Sequence, residues 1–172
     1  VRQVARNLHR KKAKGVMIKL DISRAFDSLS WAFLMEVHWA KGFSEHWCSR
    51  LAILLSTASS RVLVNGCPGK KFRHAKGLRQ GDPVSPMLFV IAMDTLTALM
   101  VKAQEWGAIS AMPGCSPFQR LSIYADDVIL FIKPTVANLS FTIVALQMFG
   151  EASGLHVNFA KSSETDTEWV SH

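Results

Sequence analysis

An α+β fold built on an antiparallel sheet is predicted by three observations on the 172-residue chain. Short runs alternating apolar and polar residues at period two are separated by longer stretches with helical spacing. Two of those runs flank a short acidic turn, as the arms of a hairpin do. Strands alternate with helices, yet hairpins recur, which suits an antiparallel sheet with helices on one face better than a doubly wound parallel one. The length fits one domain with a sizeable core.

The elements follow in order. Val1, Val4, Ala5 and Leu8 form a helical stripe, with Arg2, Arg6 and Arg10 in a row on another face, and the helix is expected to end near Gly15. Val16, Ile18, Leu20 and Ile22 then share one strand face, which leaves Asp21 on the other near the strand's end. Ser30 is placed to cap a helix carrying Trp31, Leu34, Met35 and His38, closed by Gly42. Ser44 starts the next, with Trp47, Leu51, Leu54, Leu55 and Ala58 along one side. Residues 61–66 and 71–75 read as a hairpin around Cys67-Pro68-Gly69-Lys70, and Gly77 to Pro83 as a loop. Ser85-Pro86 reads as an N-cap with proline at the first helical position, opening a helix to about Gln104. Leu121 to Ile123 and Val128 to Ile132 form the second hairpin, Thr135 caps a helix to about Ala152 ended by Gly154, and Leu155 to Ala160 return as a last strand. The acidic, Ser/Thr-rich residues 162–172 are expected to be disordered. Strand, helices, hairpin, helix and strand in that order match a ferredoxin-like split βαβ core.

The net charge of +7 is local. Residues 1–20 hold seven basic side chains and no acid, so residues 1–15 read as a basic helical arm ahead of a core at 16–161. A second basic stretch, Arg61, Lys70, Lys71, Arg73, Lys76 and Arg79, contains no carboxylate, and both stretches suit phosphate backbones. The longest apolar stretch, Met87 to Val101, is interrupted by Asp94 and reads as too short to span a bilayer. No secretory signal opens the sequence, and Cys48, Cys67 and Cys115 are odd in number without a zinc spacing. The expectation is an intracellular protein, nuclear or cytoplasmic or both, without a membrane.

Asp126-Asp127 between two apolar runs needs a cation, because burying unpaired carboxylates is costly. Two strands of one sheet can bring Asp21 beside Asp126, and a divalent metal accepts such an oxygen set together with substrate phosphates.

Four strings carry a resemblance: Leu20-Asp21-Ile22-Ser23-Arg24-Ala25-Phe26-Asp27, Gly77-Leu78-Arg79-Gln80-Gly81-Asp82-Pro83-Val84-Ser85-Pro86, Tyr124-Ala125-Asp126-Asp127, and Gly154-Leu155-His156-Val157-Asn158-Phe159-Ala160-Lys161-Ser162. In this order they resemble the palm motifs of reverse transcriptases, closest to the non-LTR (LINE-type) retrotransposon group, over roughly Lys14 to Ser163. The resemblance implies a polymerase palm whose fingers and thumb are largely missing from this stretch, a part of a larger polyprotein. It implies an RNA template, a DNA primer and a deoxynucleoside triphosphate as partners, and two Mg²⁺ ions, with Mn²⁺ as an alternative. Among the catalytic acids, Asp21 and Asp126 resemble the two metal-ligating aspartates and Asp127 the third family acid, a weaker or indirect metal ligand; the carbonyl of Ile22 resembles a further metal contact. Phe26 resembles the aromatic gate that excludes a 2′-hydroxyl, Tyr124 the residue beside the primer end, and Gln80 and Gly81 the loop facing the nascent base pair, with Arg79 a phosphate contact. Lys161 resembles the lysine that protonates departing pyrophosphate, whereas Asp27 reads as a capping or structural acid. Two other readings stay open: a catalytically inactive retroelement remnant that only binds nucleic acid, and an RNA-dependent RNA polymerase, against which Phe26 and Ala125 speak.

Overall fold

The computed structural model describes residues 2–11, 15–124 and 127–166. Its main sheet contains β1 (Val16–Asp21), β6 (Leu121–Tyr124), β7 (Asp127–Ile132) and β8 (Ser163–Asp166), ordered β6-β7-β1-β8 with every pairing antiparallel. Strand β7 is thus inserted between β1 and β6, the split βαβ arrangement expected from the order of elements. Between β1 and β6 the chain forms α2 (Ala25–Ser28), α3 (Trp31–Ala40), α4 (Glu45–Ser56), four two-residue strands and α5 (Ser85–Glu105); α6 (Val136–Ser153) follows β7.

Alternation sorts the side chains onto two faces. Leu20, Val128, Leu130 and Ile132 pack with Leu88, Met93 and Leu96 of α5 and with Leu146 and Phe149 of α6 in the main core. On the opposite face Met17, Ile129 and Phe131 meet Val4 and Leu8 of α1 (Arg2–Arg10), so the first helix adds cover to the face that α5 and α6 leave open. A side chain such as Leu8, fully buried there, contributes about 1.5–3 kcal/mol.

The caps at Ser30, Ser44 and Thr135 form as expected, each hydroxyl accepting from the backbone N–H three residues on, and Gly154 ends α6 in the left-handed conformation. Elsewhere the boundaries move. Val84, not Ser85, precedes α5; Ser85 is already helical, and the Asp82 carboxylate accepts from the Val84 N–H at 2.9 Å to turn the chain into the helix. Helix α5 extends over 21 residues and is long and apolar enough, by length and composition, to cross a membrane, which corrects the shorter estimate from Met87 to Val101. Here it is the central core helix, with nine buried residues distributed along it.

The tight turn of the middle segment is Asn65-Gly66, both at positive φ, joining β3 (Leu63–Val64) to β4 (Cys67–Pro68), rather than Cys67 to Lys70. Strands β2 (Ser59–Ser60) and β5 (Phe72–Arg73) pair outside it. The predicted strand from Leu155 to Ala160 shrinks to one bridge, Ile22 with Val157, and the β1 edge is completed by Ser163–Asp166. The expectation of disorder from residue 162 therefore fails over 163–166, where β1 offers an open edge with unpaired backbone groups; residues 167–172 lie outside the described residues.

Candidate active site

Strand register decides which side chains meet. Asp21 at the end of β1 is the direct partner of Asp127 at the start of β7, and Tyr124 at the end of β6 is the partner of Asp127 on its other side. Tyr124, Asp127 and Asp21 therefore form one row across three adjacent strands. The row lies on the sheet face that carries Met17 and Ile129, because each is an even number of residues away. Asp126 lies outside the described residues, so the pairing of the acids is visible through Asp127.

Side chains directly opposite on antiparallel strands sit about 4.5–5.5 Å apart, and two like charges there repel. One neutralising partner is on the neighbouring strand and the same face: Lys19 Nζ lies 2.8 Å from Asp127 Oδ1, with both side chains about half exposed. The backbone of Asp21 is held from the other edge. Its carbonyl accepts from Asn158 N–H at 2.8 Å, its N–H donates to Ser162 Oγ at 3.4 Å, and that hydroxyl donates to the Asn158 carbonyl. These bonds fix the carboxylate's root rather than the carboxylate itself. Since Ser23 N–H and the Asp21 carbonyl make the bonds that flank the Ile22–Val157 bridge, Ile22's own carbonyl points away from Val157, to the side where β7 lies. Two carboxylates and a backbone oxygen on that side are hard donors of the type a divalent cation takes, so the residues fit the metal that the resemblance implies. Among the described residues no three His, Cys, Asp or Glu side chains gather into a closed cluster.

The other candidates are brought close through the backbone. Phe26 sits in α2, half buried, stacked on Phe89 of α5 with ring centroids 4.8 Å apart. Its carbonyl accepts from Leu78 N–H at 2.6 Å, Gly77 N–H donates to the Leu29 carbonyl at 2.8 Å, and Trp31 Nε1 donates to the Gly77 carbonyl at 2.7 Å. The loop carrying Arg79, Gln80 and Gly81, all exposed, is thereby clamped beside α2. A cleft of about 680 Å³ opens next to it, with Asp27, His74, Lys76, Arg79, Gln80 and Asp82 among its walls. Asp21, Asp127, Phe26 and Tyr124 do not line this cleft. The acid row, with two carboxylates in register on neighbouring strands, is the better place for chemistry. Tyr124 is 84% exposed, leaving its ring free to meet a ligand. Lys161 is exposed in the turn from Asn158 to Ser162 that braces Asp21.

Four contributors escape a reading of the sequence. Lys19 has a signal in the sequence, since it lies two residues before Asp21 and period two places both on one face. Asn158 through its backbone N–H and Ser162 through its hydroxyl both hold the Asp21 backbone, in bonds that no spacing reveals. Arg120 is fully buried; its guanidinium donates to Gln104 Oε1 at 2.6 Å and to the Ser110 carbonyl at 2.7 Å, and its carbonyl accepts from Phe131 N–H, extending the acidic hairpin by one rung. Burial lowers its affinity for the proton, partly offset by the neighbouring Cys115.

The sequence profile of the family described as reverse transcriptase (RNA-dependent DNA polymerase) matches residues 2–170. The chain is 30% identical over 130 residues, 76% of its length, to the retrovirus-related Pol polyprotein from type-2 retrotransposable element R2DM of Drosophila melanogaster. It is 28% identical over 146 residues, 85% of its length, to the transposon TX1 uncharacterized 149 kDa protein of Xenopus laevis. It spans only 12% and 11% of those two relatives. Among solved structures, a telomerase from Candida tropicalis in complex with a fragment of telomeric RNA superposes with a TM-score of 0.72 at 18% identity, over 96% of this chain and 28% of that one, a likeness of fold. The profile match leaves almost none of the sequence outside it and the similar proteins include retroelement polyproteins, so the chain belongs to the reverse transcriptase (RNA-dependent DNA polymerase) family, on its non-LTR side.

Proposed function

We propose that this chain forms the palm of an RNA-directed DNA polymerase, in which an RNA template directs addition of deoxynucleotides to a primer 3′-hydroxyl with the help of two Mg²⁺ ions. The observation that carries the reading is the register that sets Asp21 opposite Asp127 beside an exposed Tyr124. Asp21, Asp127, the adjoining Asp126 and the Ile22 carbonyl are the groups that would hold the ions. When bound, divalent ions acidify the primer hydroxyl and neutralise the leaving pyrophosphate.

The chain's own residues do the rest. Phe26, supported by Phe89, keeps its ring from yielding to a 2′-hydroxyl, which selects deoxyribose by exclusion. Tyr124 packs on the primer end. Gly81, at φ +86°, lets backbone approach the nascent pair, while Gln80 supplies an amide and Arg79 a cation for phosphate. Lys161, carried on the turn that braces Asp21, delivers a proton to the departing pyrophosphate, a step that contributes ~10²–10⁴ in rate for a well-placed general acid. The free thiols of Cys48, Cys67 and Cys115 suit a reducing nuclear or cytoplasmic compartment.

Primer extension tests the reading in the longest natural polyprotein context of the chain. Asp126→Asn is expected to abolish metal-dependent synthesis while salt-sensitive nucleic-acid binding survives. Phe26→Val is expected to raise ribonucleotide incorporation. Undiminished synthesis by Asp126→Asn overturns the assignment, and binding without synthesis by the unaltered protein leaves an inactive nucleic-acid-binding remnant in its place.

A further inference from the structure

Lys19 occupies the same carboxylate that a metal in the acid row would need. It shares the sheet face of Asp21 and Asp127, and its ammonium is 2.8 Å from Asp127 Oδ1. Resting on the polymerase reading of this site, we propose that Lys19 is a resident counter-ion that competes with the divalent metal for Asp127.

The electrostatics of the row support this. Two carboxylates facing each other across β1 and β7 repel, and a single positive charge beside one of them relieves that repulsion. A divalent cation entering the row would draw on the same carboxylate and meet a positive charge already in place, and the flexible stem lets the ammonium swing away as the cation binds. Half-exposure keeps the competition mild, because solvent screens the pair. Lys19 therefore shields the acids of the metal-free protein and raises the metal concentration needed to fill the row. The two effects have opposite signs, which distinguishes a competing counter-ion from an ordinary surface ion pair: removing the charge weakens the metal-free protein and strengthens metal binding.

The test uses the full chain and Mn²⁺ alone as probe, with binding read from water-proton relaxation and stability from the thermal midpoint without metal. Lys19→Gln is expected to tighten Mn²⁺ about three- to five-fold, the scale of one screened surface charge, and to lower the metal-free midpoint by about 1–3 °C. Lys19→Arg, which keeps the charge, is expected to do neither, and Lys19→Met supplies a second neutral variant should packing differ. Asp21→Asn is expected to weaken Mn²⁺ binding strongly. If Asp21→Asn weakens binding but both neutral Lys19 variants bind as the parent does, the counter-ion proposal is overturned and the metal site stands. If Mn²⁺ binding is indifferent to Asp21→Asn, the metal reading of the row falls and the proposal falls with it.

Discussion

Cys115 shows how a single side chain can register the integrity of the face on which the acids lie. Its thiol is buried with Val4, Leu8, Met112 and Phe131, and burial pushes its pKa above the ordinary value of 9.0, with the adjacent Arg120 pulling the other way. A raised folded-state pKa means that the stability tied to the neutral thiol is fully present below the unfolded value and is lost as pH climbs through the folded one. Urea denaturation midpoints should thus fall as pH rises above about 9, and Cys115→Ala should remove that share of the slope; an unchanged slope would show that the thiol is not held in apolar surroundings. Exposed Cys67 should react first with iodoacetamide at neutral pH, with buried Cys48 and Cys115 modified only on opening. A Cys115 as fast as Cys67 would mean that α1 does not stay docked.

Between elements, two glycines with similar backbone angles separate local from tertiary constraint. Gly66 and Gly77 have φ of +79° and +81°. A Cβ on Gly66 would meet nothing, whereas on Gly77 it would lie 2.6 Å from the carbonyl oxygen of Asp27. Gly66→Ala should cost only the left-handed penalty, about 1–2 kcal/mol. Gly77→Ala should cost about 3 kcal/mol or more, since backbone on α2 must also give way. Chemical denaturation of the two variants side by side measures the difference, and equal losses would contradict the tight seating of the 77–84 loop on α2. The same contrast explains which boundaries the sequence reveals. The caps at Ser30, Ser44 and Thr135 are local, a hydroxyl bonding a backbone N–H three residues on, so a short window contains all the physics. The start of α5 differs from its expected place because the carboxylate of Asp82 competes with Ser85 for the turn. The Asn65-Gly66 turn is legible in the sequence after the fact: Asn-Gly is the pair that tolerates positive φ at both positions.

Across the whole molecule, charge and sheet topology answer different questions. Lys70, Lys71 and Arg73 stand exposed on and beside the paired strands β2 and β5. Exposed Val62, Leu63 and Val64 sit at the adjoining tip. If this projection grips a nucleic-acid backbone, replacing the three cations with glutamine should reduce the slope of log affinity against log salt by about 2–3, roughly one unit for each phosphate no longer neutralised. An unchanged slope would assign the grip elsewhere. The sequence by itself determined the α+β class, the periodicities that set Asp21 on the strand face opposite the apolar one and the paired acids at the tip of a hairpin, and the four ordered strings that identify the family, because these depend on side-chain alternation and local spacing. Only the tertiary structure decided that Asp21 stands opposite Asp127 rather than a residue away, that Lys19 joins them, that Asn158 and Ser162 brace Asp21, and that β8 closes the sheet. Strand register and edge pairing are set by contacts between residues more than a hundred positions apart, and a shift of one residue would turn every side chain of a strand to the other face.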